Sequence, residues 1–160
     1  MESDDKQGKI AEALRKIDFF NEFSDTELTR LLEITQWVKY SGGDIIIQEG
    51  ATEKTFYVII KGRVSIKKRM GGVGLKKNIC TLSMGQSFGE MSSFITGKPR
   101  SADIIAEEDT FVLRFNADDI HRERENPQYT AILFKFYKKF AEVLAERLEE
   151  ADQEIINPPM

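Results

Sequence analysis

Short β-rich runs separated by glycine turns fill the middle of the chain, over residues 36–115. Val, Ile, Thr, Phe, Tyr and Trp are frequent in them, and these residues suit a pleated, half-buried surface. The runs are 37–40, 44–48, 55–60, 63–68, 75–82, 102–106 and 110–115. Glycines at 42, 43, 50, 62, 71, 72, 74 and 85 punctuate them. Many short strands of even spacing predict a jelly roll or a barrel.

Helical patterns flank this β region on both sides. We expect a first helix over residues 9–17 and a second helix after Ser24, because Ser24 and Glu27 have the spacing of a capping box. A long last helix is expected over residues 128–152, where apolar residues recur every three or four positions. The predicted fold class is therefore α+β, a β jelly-roll barrel flanked by N-terminal helices and a long C-terminal helix.

The length of 160 residues suits a single domain. We expect this domain over residues 9–152, between a disordered tail at 1–8 and a second tail at 153–160. Cys80 is the single cysteine, so no internal disulfide can form, which fits a reducing cytoplasm. The longest apolar runs are too short to span a bilayer, and no membrane partner is expected.

The charge balance bears on partners. The net charge is −4, which argues against a nucleic-acid-binding surface. Basic residues cluster only at residues 67–69 and 76–77, on either side of a predicted hairpin tip at 70–74. We interpret these clusters as a solvated loop, so no nucleic-acid partner is expected.

The segment from Phe88 to Ala102, FGEMSSFITGKPRSA, carries the chemistry. Nine residues separate Glu90 from Arg100, enough for one short helical turn and a loop that doubles back. Folded this way, the segment brings a carboxylate, a guanidinium and free backbone N–H groups to one small cavity. A carboxylate accepts hydrogen bonds from hydroxyls and an Arg fork binds phosphate, so a cyclic nucleotide would satisfy both.

These residues resemble the phosphate-binding cassette of the cyclic nucleotide-binding domain family. That family includes the bacterial catabolite activator protein, the regulatory subunits of protein kinase A and cyclic nucleotide-gated channels. The resemblance rests on residues 88–90 and 99–102, together with turns at 48–50 and 61–64, and covers about residues 10–152. It implies a sensor of cAMP or cGMP, and of the two we favour cAMP.

The resemblance also implies roles for individual residues. Glu90 would accept from the ribose 2′-hydroxyl, and Arg100 would neutralise the phosphate. Gly89 would let the backbone approach the sugar, and Ser101 would donate to the phosphate or to the guanine 2-amino group of cGMP. Backbone groups would ring the phosphate, and barrel residues would flank the base. The predicted ligand-binding residues are Ile66, Cys80, Phe88, Gly89, Glu90, Met91, Ser92, Arg100, Ser101 and Ala102.

Some of these residues have plainer interpretations. Glu90 and Arg100 could form a structural ion pair, and Cys80 could be simple core. Family resemblance implies that the last helix swings over the nucleotide as a lid, although its apolar stripe could equally be core or a dimer seam. His121, among charged residues, is expected on the surface. Candidates for the residue that covers the base are Phe140, Val143, Leu144 and Leu148.

The favoured function is a stand-alone cyclic nucleotide sensor, read by an effector protein or by a second copy through the long helix. The alternative is a nonbinding interaction or assembly module that retains the barrel, and a truncated transcription regulator is a further possibility. A cupin-type metalloenzyme is disfavoured because such sites need two or three His and the chain has one. We therefore expect no enzymatic activity, no catalytic residue, no metal and no cofactor.

Overall fold

The computed structural model describes residues 2–69, 74–122 and 125–157. The predicted hairpin tip lies outside them except for Gly74. The α-helices are α1 (Glu2–Arg15), α2 (Asp25–Glu33), α3 (Ala117–Arg122) and α4 (Pro127–Ile156). The strands are β1 (Thr35–Tyr40), β2 (Ile45–Ile47), β3 (Thr55–Lys61), β4 (Arg63–Arg69), β5 (Lys76–Ser83), β6 (Ser87–Phe88), β7 (Asp103–Ala106) and β8 (Thr110–Asn116). A 3-10 turn (Asp18–Phe20) and a short π-helix (Met91–Thr96) complete the elements.

The strands form two antiparallel four-stranded sheets. The first has the order β1-β8-β3-β6 and the second has the order β2-β7-β4-β5. Within the described ranges no strand pair joins the two sheets, so the predicted jelly roll is present as two facing sheets, not as a closed barrel. The expected strands all occur, and the two-residue β6 was not predicted because it is too short to show a period.

The central strand β3 is buried on both faces. Phe56 and Val58 belong to a cluster that packs the outer face of the first sheet against the helices. Tyr57 and Ile59 belong to a second cluster, which fills the space between the two sheets. The unbroken apolar run of this strand is explained by these two cores, since neither of its faces meets water.

The helices begin where their capping residues predict. Ser24 Oγ accepts from the Glu27 N–H and Glu27 accepts from the Ser24 N–H, so the capping box is confirmed. Asn126 accepts from the Gln128 N–H and Pro127 occupies the first turn of α4. Both terminal helices are longer than predicted. Residues 2–8 lie in α1, and residues 153–156 lie in α4, where tails were expected.

Helix α4 is 30 residues long and changes character along its length. Its first half is anchored in the outer cluster by Tyr129, Ile132, Phe136 and Phe140. No residue after Phe140 is fully buried within the described part of the chain. None of the described helices is long and apolar enough to cross a membrane.

Candidate ligand-binding site

The cassette follows β6 as a short helical turn and a returning loop, as predicted. Gly89 has a φ of +85°, and Gly97 ends the π-helix in the left-handed region. A Cβ on Gly89 would lie 2.9 Å from the Thr55 carbonyl oxygen and 3.1 Å from Arg100 Nη1. Glycine is therefore required here both by the backbone conformation and by the close approach of β3.

Arg100 points into the protein, and its side chain is only 5% exposed. Its Nη1 donates to the Gly89 carbonyl at 2.8 Å and to Ser92 Oγ at 2.7 Å. Its Nη2 donates to the Thr55 carbonyl at 2.5 Å and to Thr55 Oγ1 at 3.0 Å. Nε is buried and has no partner among the described residues. The guanidinium is thus surrounded by neutral acceptors.

The backbone of Arg100 is fixed as firmly as its side chain. The Gly50 N–H donates to the Arg100 carbonyl and the Arg100 N–H donates to the Ala51 carbonyl, both at 2.8 Å. The turn at residues 48–50, singled out in the sequence, therefore holds the returning loop of the cassette. Burial lowers the pKa of Arg100, and the negative potentials of Tyr57, Glu53 and Glu90 oppose this effect.

Glu90 is paired with α4, not with Arg100. The carboxylate is 1% exposed, and its Oε1 accepts from Arg147 Nη1 at 2.6 Å. Arg147 Nη2 also donates to the Ser87 carbonyl at 2.5 Å. Oε2 of Glu90 is buried and has no partner within the described residues. Among the described residues, Glu90 forms its salt bridge with Arg147 and none with Arg100. The structural ion pair between Glu90 and Arg100, considered as an alternative, is therefore not present.

A cavity of about 610 Å³ lies between α4, the 3-10 turn and the segment from β5 to β6. This volume is in the range of small-molecule sites. Its walls include Cys80 and Leu82 of β5, Ser87 of β6, and Val143 and Arg147 of α4. Glu90 and Arg100 do not line it. Arg147 both lines the cavity and contacts Glu90, so it forms the boundary between the cavity and the cassette.

The two predicted base-flanking residues are neighbours. Ile66 of β4 pairs with Cys80 of β5 in the strand register, and Ile66 packs against the inter-sheet cluster. The Cys80 side chain is exposed, and it lines the cavity beneath α4. Burial by surrounding protein raises the pKa of its thiol, and Arg147 opposes that shift. Cys80 therefore lines a cavity and is not core.

The other predicted residues occupy different environments. Phe88 is buried and stacks on Tyr57, with ring centroids 4.8 Å apart, so its side chain belongs to the inter-sheet core. Met91 and Ser101 are exposed, and Ala102 is half-buried. The cassette therefore brings Gly89 and Ser92 against Arg100, whereas the Glu90 carboxylate bonds to Arg147 and Ser101 is exposed.

The candidates on α4 separate into three environments. Phe140 is fully buried in the outer cluster, where it packs on Phe56 and Phe94, so it does not face the cavity. Val143 lines the cavity, whereas Leu148 is largely exposed. Arg147 was missed because only apolar residues were considered; it follows Val143 by one helical turn on the same face, and that spacing was the available signal.

Cassette and helices also meet through Phe94 of the π-helix. Its ring contacts Tyr137 of α4 at 4.6 Å and stacks on His121 of α3 at 4.9 Å. His121, expected on the surface, is half-buried, because one face of its ring stacks on Phe94. The cassette and the helical side of the protein are therefore in direct contact through this ring.

Comparison with known proteins identifies relatives in sequence and in fold. The chain is 29% identical to the cGMP-dependent protein kinase 2 of Homo sapiens over 140 residues, which are 88% of this chain and 18% of the kinase. The chain thus spans less than a fifth of that relative. The catabolite activator protein of Thermus thermophilus is 29% identical, with a TM-score of 0.67, over 86% of this chain and 61% of that one.

A cyclic nucleotide-binding domain from Methylobacillus flagellatus has the same fold, with a TM-score of 0.80 at 24% identity. That match covers 99% of this chain and 86% of the other. The family model for the cyclic nucleotide-binding domain matches residues 37–126, which include the whole cassette and most strands. The chain belongs to the cyclic nucleotide-binding domain family.

Proposed function

We propose that this chain is a sensor domain that binds cAMP or cGMP through its cassette and signals by movement of α4. The observation that supports this most is Arg100. A buried guanidinium with only neutral acceptors leaves its charge uncompensated, which is costly unless an anion binds. The ring phosphate of a cyclic nucleotide supplies that anion, displacing Ser92 Oγ from Nη1 or using the unpartnered Nε.

The sugar site is the buried carboxylate of Glu90. A ribose 2′-hydroxyl would donate to Oε2, which has no partner among the described residues. Backbone groups of Ser92 and Ala102 would complete the ring around the phosphate. Ile66 and Cys80 would flank the base on the side of the cavity.

The identity of the base is the open choice within this proposal. The sequence favoured cAMP, whereas the human relative is named as a cGMP-dependent kinase. Ser101 follows Arg100 and is exposed, so its hydroxyl is available to a guanine 2-amino group. Both nucleotides therefore belong in the test.

The output of the sensor would be the position of α4. Phe94 packs against this helix, so nucleotide binding at the cassette would change how α4 packs on the cassette. An effector protein or a second copy of the chain would detect the change on the exposed half of α4. An unpaired cysteine fits a reducing compartment, and we place the protein in the cytoplasm.

Calorimetric titration of the folded protein with cAMP and cGMP tests the proposal. We expect micromolar or tighter binding of at least one nucleotide. The Arg100→Ala variant should lose about 10²–10³-fold in affinity, because charged hydrogen bonds contribute about 1.5–3 kcal/mol each and 1.4 kcal/mol is tenfold. Arg100→Lys keeps the charge without the fork and should lose less.

The matched control is Arg122→Ala, since the Arg122 side chain is exposed on α3 and pairs with Asp119, outside the cassette. Its affinity should equal that of the wild type. The absence of heat with either nucleotide, together with an unchanged melting temperature, would instead favour the nonbinding assembly module.

A further inference from the structure

The two oxygens of Glu90 have different surroundings. Oε1 is held by Arg147 of α4 at 2.6 Å, whereas Oε2 is buried without a partner among the described residues. The whole side chain is only 1% exposed. A buried carboxylate oxygen without a hydrogen-bond donor is unfavourable in free energy. We therefore expect Oε2 to accept a hydrogen bond from a hydroxyl or N–H group of a ligand.

Arg147 connects α4 with the sheets. Its guanidinium donates to Glu90 and to the Ser87 carbonyl, so it holds both β6 and the residue that follows Gly89. Residues 141–157 form two described side-chain hydrogen bonds to the sheets and the cassette. Arg147 makes both of them. The earlier ion pairs of α4, from Lys135 and Lys138, go to the N-terminal helical region instead.

A carboxylate has about four acceptor positions on its two oxygens, so it can serve an Arg and a hydroxyl together. A sugar hydroxyl that donates to Oε2 therefore does not displace Arg147 from Oε1. The pairing with Arg147 also fixes the rotamer of Glu90, which keeps Oε2 in place for the ligand. The two partners thus support each other.

We propose that Arg147 is a positioning residue that couples α4 to the sugar site through the shared carboxylate of Glu90. The inference rests on the proposed binding of a cyclic nucleotide. Occupation of Oε2 strengthens the hold of Glu90 on Arg147 and so the docking of α4. By linkage, docking of α4 raises the affinity for a ribonucleotide by the same factor.

A cycle of variants and ligands isolates this coupling. The probes are cAMP and cGMP and their 2′-deoxy analogues, which lack the hydroxyl that Oε2 would accept. Arg147→Gln should weaken the ribonucleotide about tenfold but the 2′-deoxy analogue less than about twofold, because only the former uses Glu90. Arg147 is partly exposed, so its replacement should leave the fold intact, and a melting curve checks this.

Lys138→Gln is the matched control, because Lys138 is a cation on α4 that pairs with Glu22, away from the cassette. It should leave both affinities unchanged. As a second measurement, amide hydrogen exchange over residues 141–157 should slow when the ribonucleotide binds to the wild type. It should not slow with the 2′-deoxy analogue or with Arg147→Gln.

Other results would overturn the inference. Equal losses for both ligands would mean that Arg147 acts on the base or only on the fold. A gain in ribonucleotide affinity would mean that Arg147 competes with the sugar for Glu90. If the wild type binds none of the four nucleotides, the proposed function fails as well, whereas binding without the ligand-dependent difference removes the coupling alone.

Discussion

Glu90 and Arg100, the two buried charged residues of the cassette, have partners of different kinds. Glu90 has a cationic partner, Arg147, whereas Arg100 has only carbonyl and hydroxyl oxygens around it. Both were identified in the sequence from their spacing. Their partners were not, because Thr55 and Arg147 lie 45 and 57 residues away from them.

At this scale Gly89 gives a direct prediction. Gly89→Ala should lower the free energy of unfolding by about 2–4 kcal/mol, because an alanine there would combine a positive φ with a contact of 2.9 Å to the Thr55 carbonyl. Urea denaturation measures the change. The nucleotide affinity of the variant should also fall, since the cassette must shift.

Gly97→Ala is the matched control, because Gly97 has a φ of +67° but a Cβ there would meet no atom within 4 Å. The free energy of unfolding of this variant should fall only by the backbone strain, about 1–2 kcal/mol. Equal losses in the two variants would show that the close approach of β3 at Gly89 is unimportant.

Helix α4 connects the first sheet, α2 and the cassette. Phe136 and Phe140 bury it against the first sheet, Lys135 ties it to α2, and Arg147 ties it to the cassette. Hydrophobic periodicity predicted the helix itself. It did not predict which face covers the ligand, because the period shows that a face is apolar without showing which layer it packs on.

The ion pair between Lys135 and Glu27 gives a prediction with a pH dependence. Burial alone would raise the pKa of Glu27, but hydrogen bonds from Lys135 and Ser24 lower it below the ordinary 4.5. A lowered folded-state pKa stabilises the protein above the unfolded value, and this contribution disappears as the pH falls through the folded value. Lys135→Met should therefore cost about 1 kcal/mol at pH 7 and less at pH 3.

Lys138→Met is the control for Lys135→Met, since the pair that Lys138 forms with Glu22 is more exposed. Its cost should be about 0–0.5 kcal/mol at pH 7. Urea denaturation of both variants at the two pH values makes the comparison. A cost of Lys135→Met that does not change with pH would mean that its packing matters and its charge does not.

The whole molecule is two cores that share one sheet, with half of α4 left uncovered. Exposed or half-buried residues on α4 follow a three-four spacing, which is the spacing of a coiled-coil seam. They are Phe134, Tyr137, Ala141, Leu144, Leu148, Ala151 and Ile155. A helix with such a face is stabilised when the face packs on a partner, and a second copy offers the same spacing.

We therefore expect self-association through α4. Sedimentation equilibrium should show a dimer at a protein concentration on the order of tens of micromolar, which corresponds to a micromolar dissociation constant. Leu148→Lys should shift the protein to monomer, because it places a charge in the seam. Leu75→Lys should not, because this similarly exposed leucine lies just before β5 and away from α4 in the chain. A wild type that stays monomeric at this concentration would leave an effector protein as the reader of α4.

The sequence alone determined the order of elements and the chemistry of the cassette. Strand runs, glycine turns and helix caps are local, since each depends on residues within a few positions. Glu90 and Arg100 were also selected from local spacing, although the structure gives each of them other partners. The ends of α1 and α4 were placed wrongly because polar helix termini carry no hydrophobic period.

Only the tertiary structure decided which atoms these charges meet. It placed Thr55 against Arg100, Arg147 against Glu90 and Cys80 in a cavity beneath α4. It also assigned Phe140 to the core and Val143 to the cavity, although both lie on one apolar stripe. Such contacts follow from how sheets and helices pack over long distances in the chain, and no local pattern encodes them.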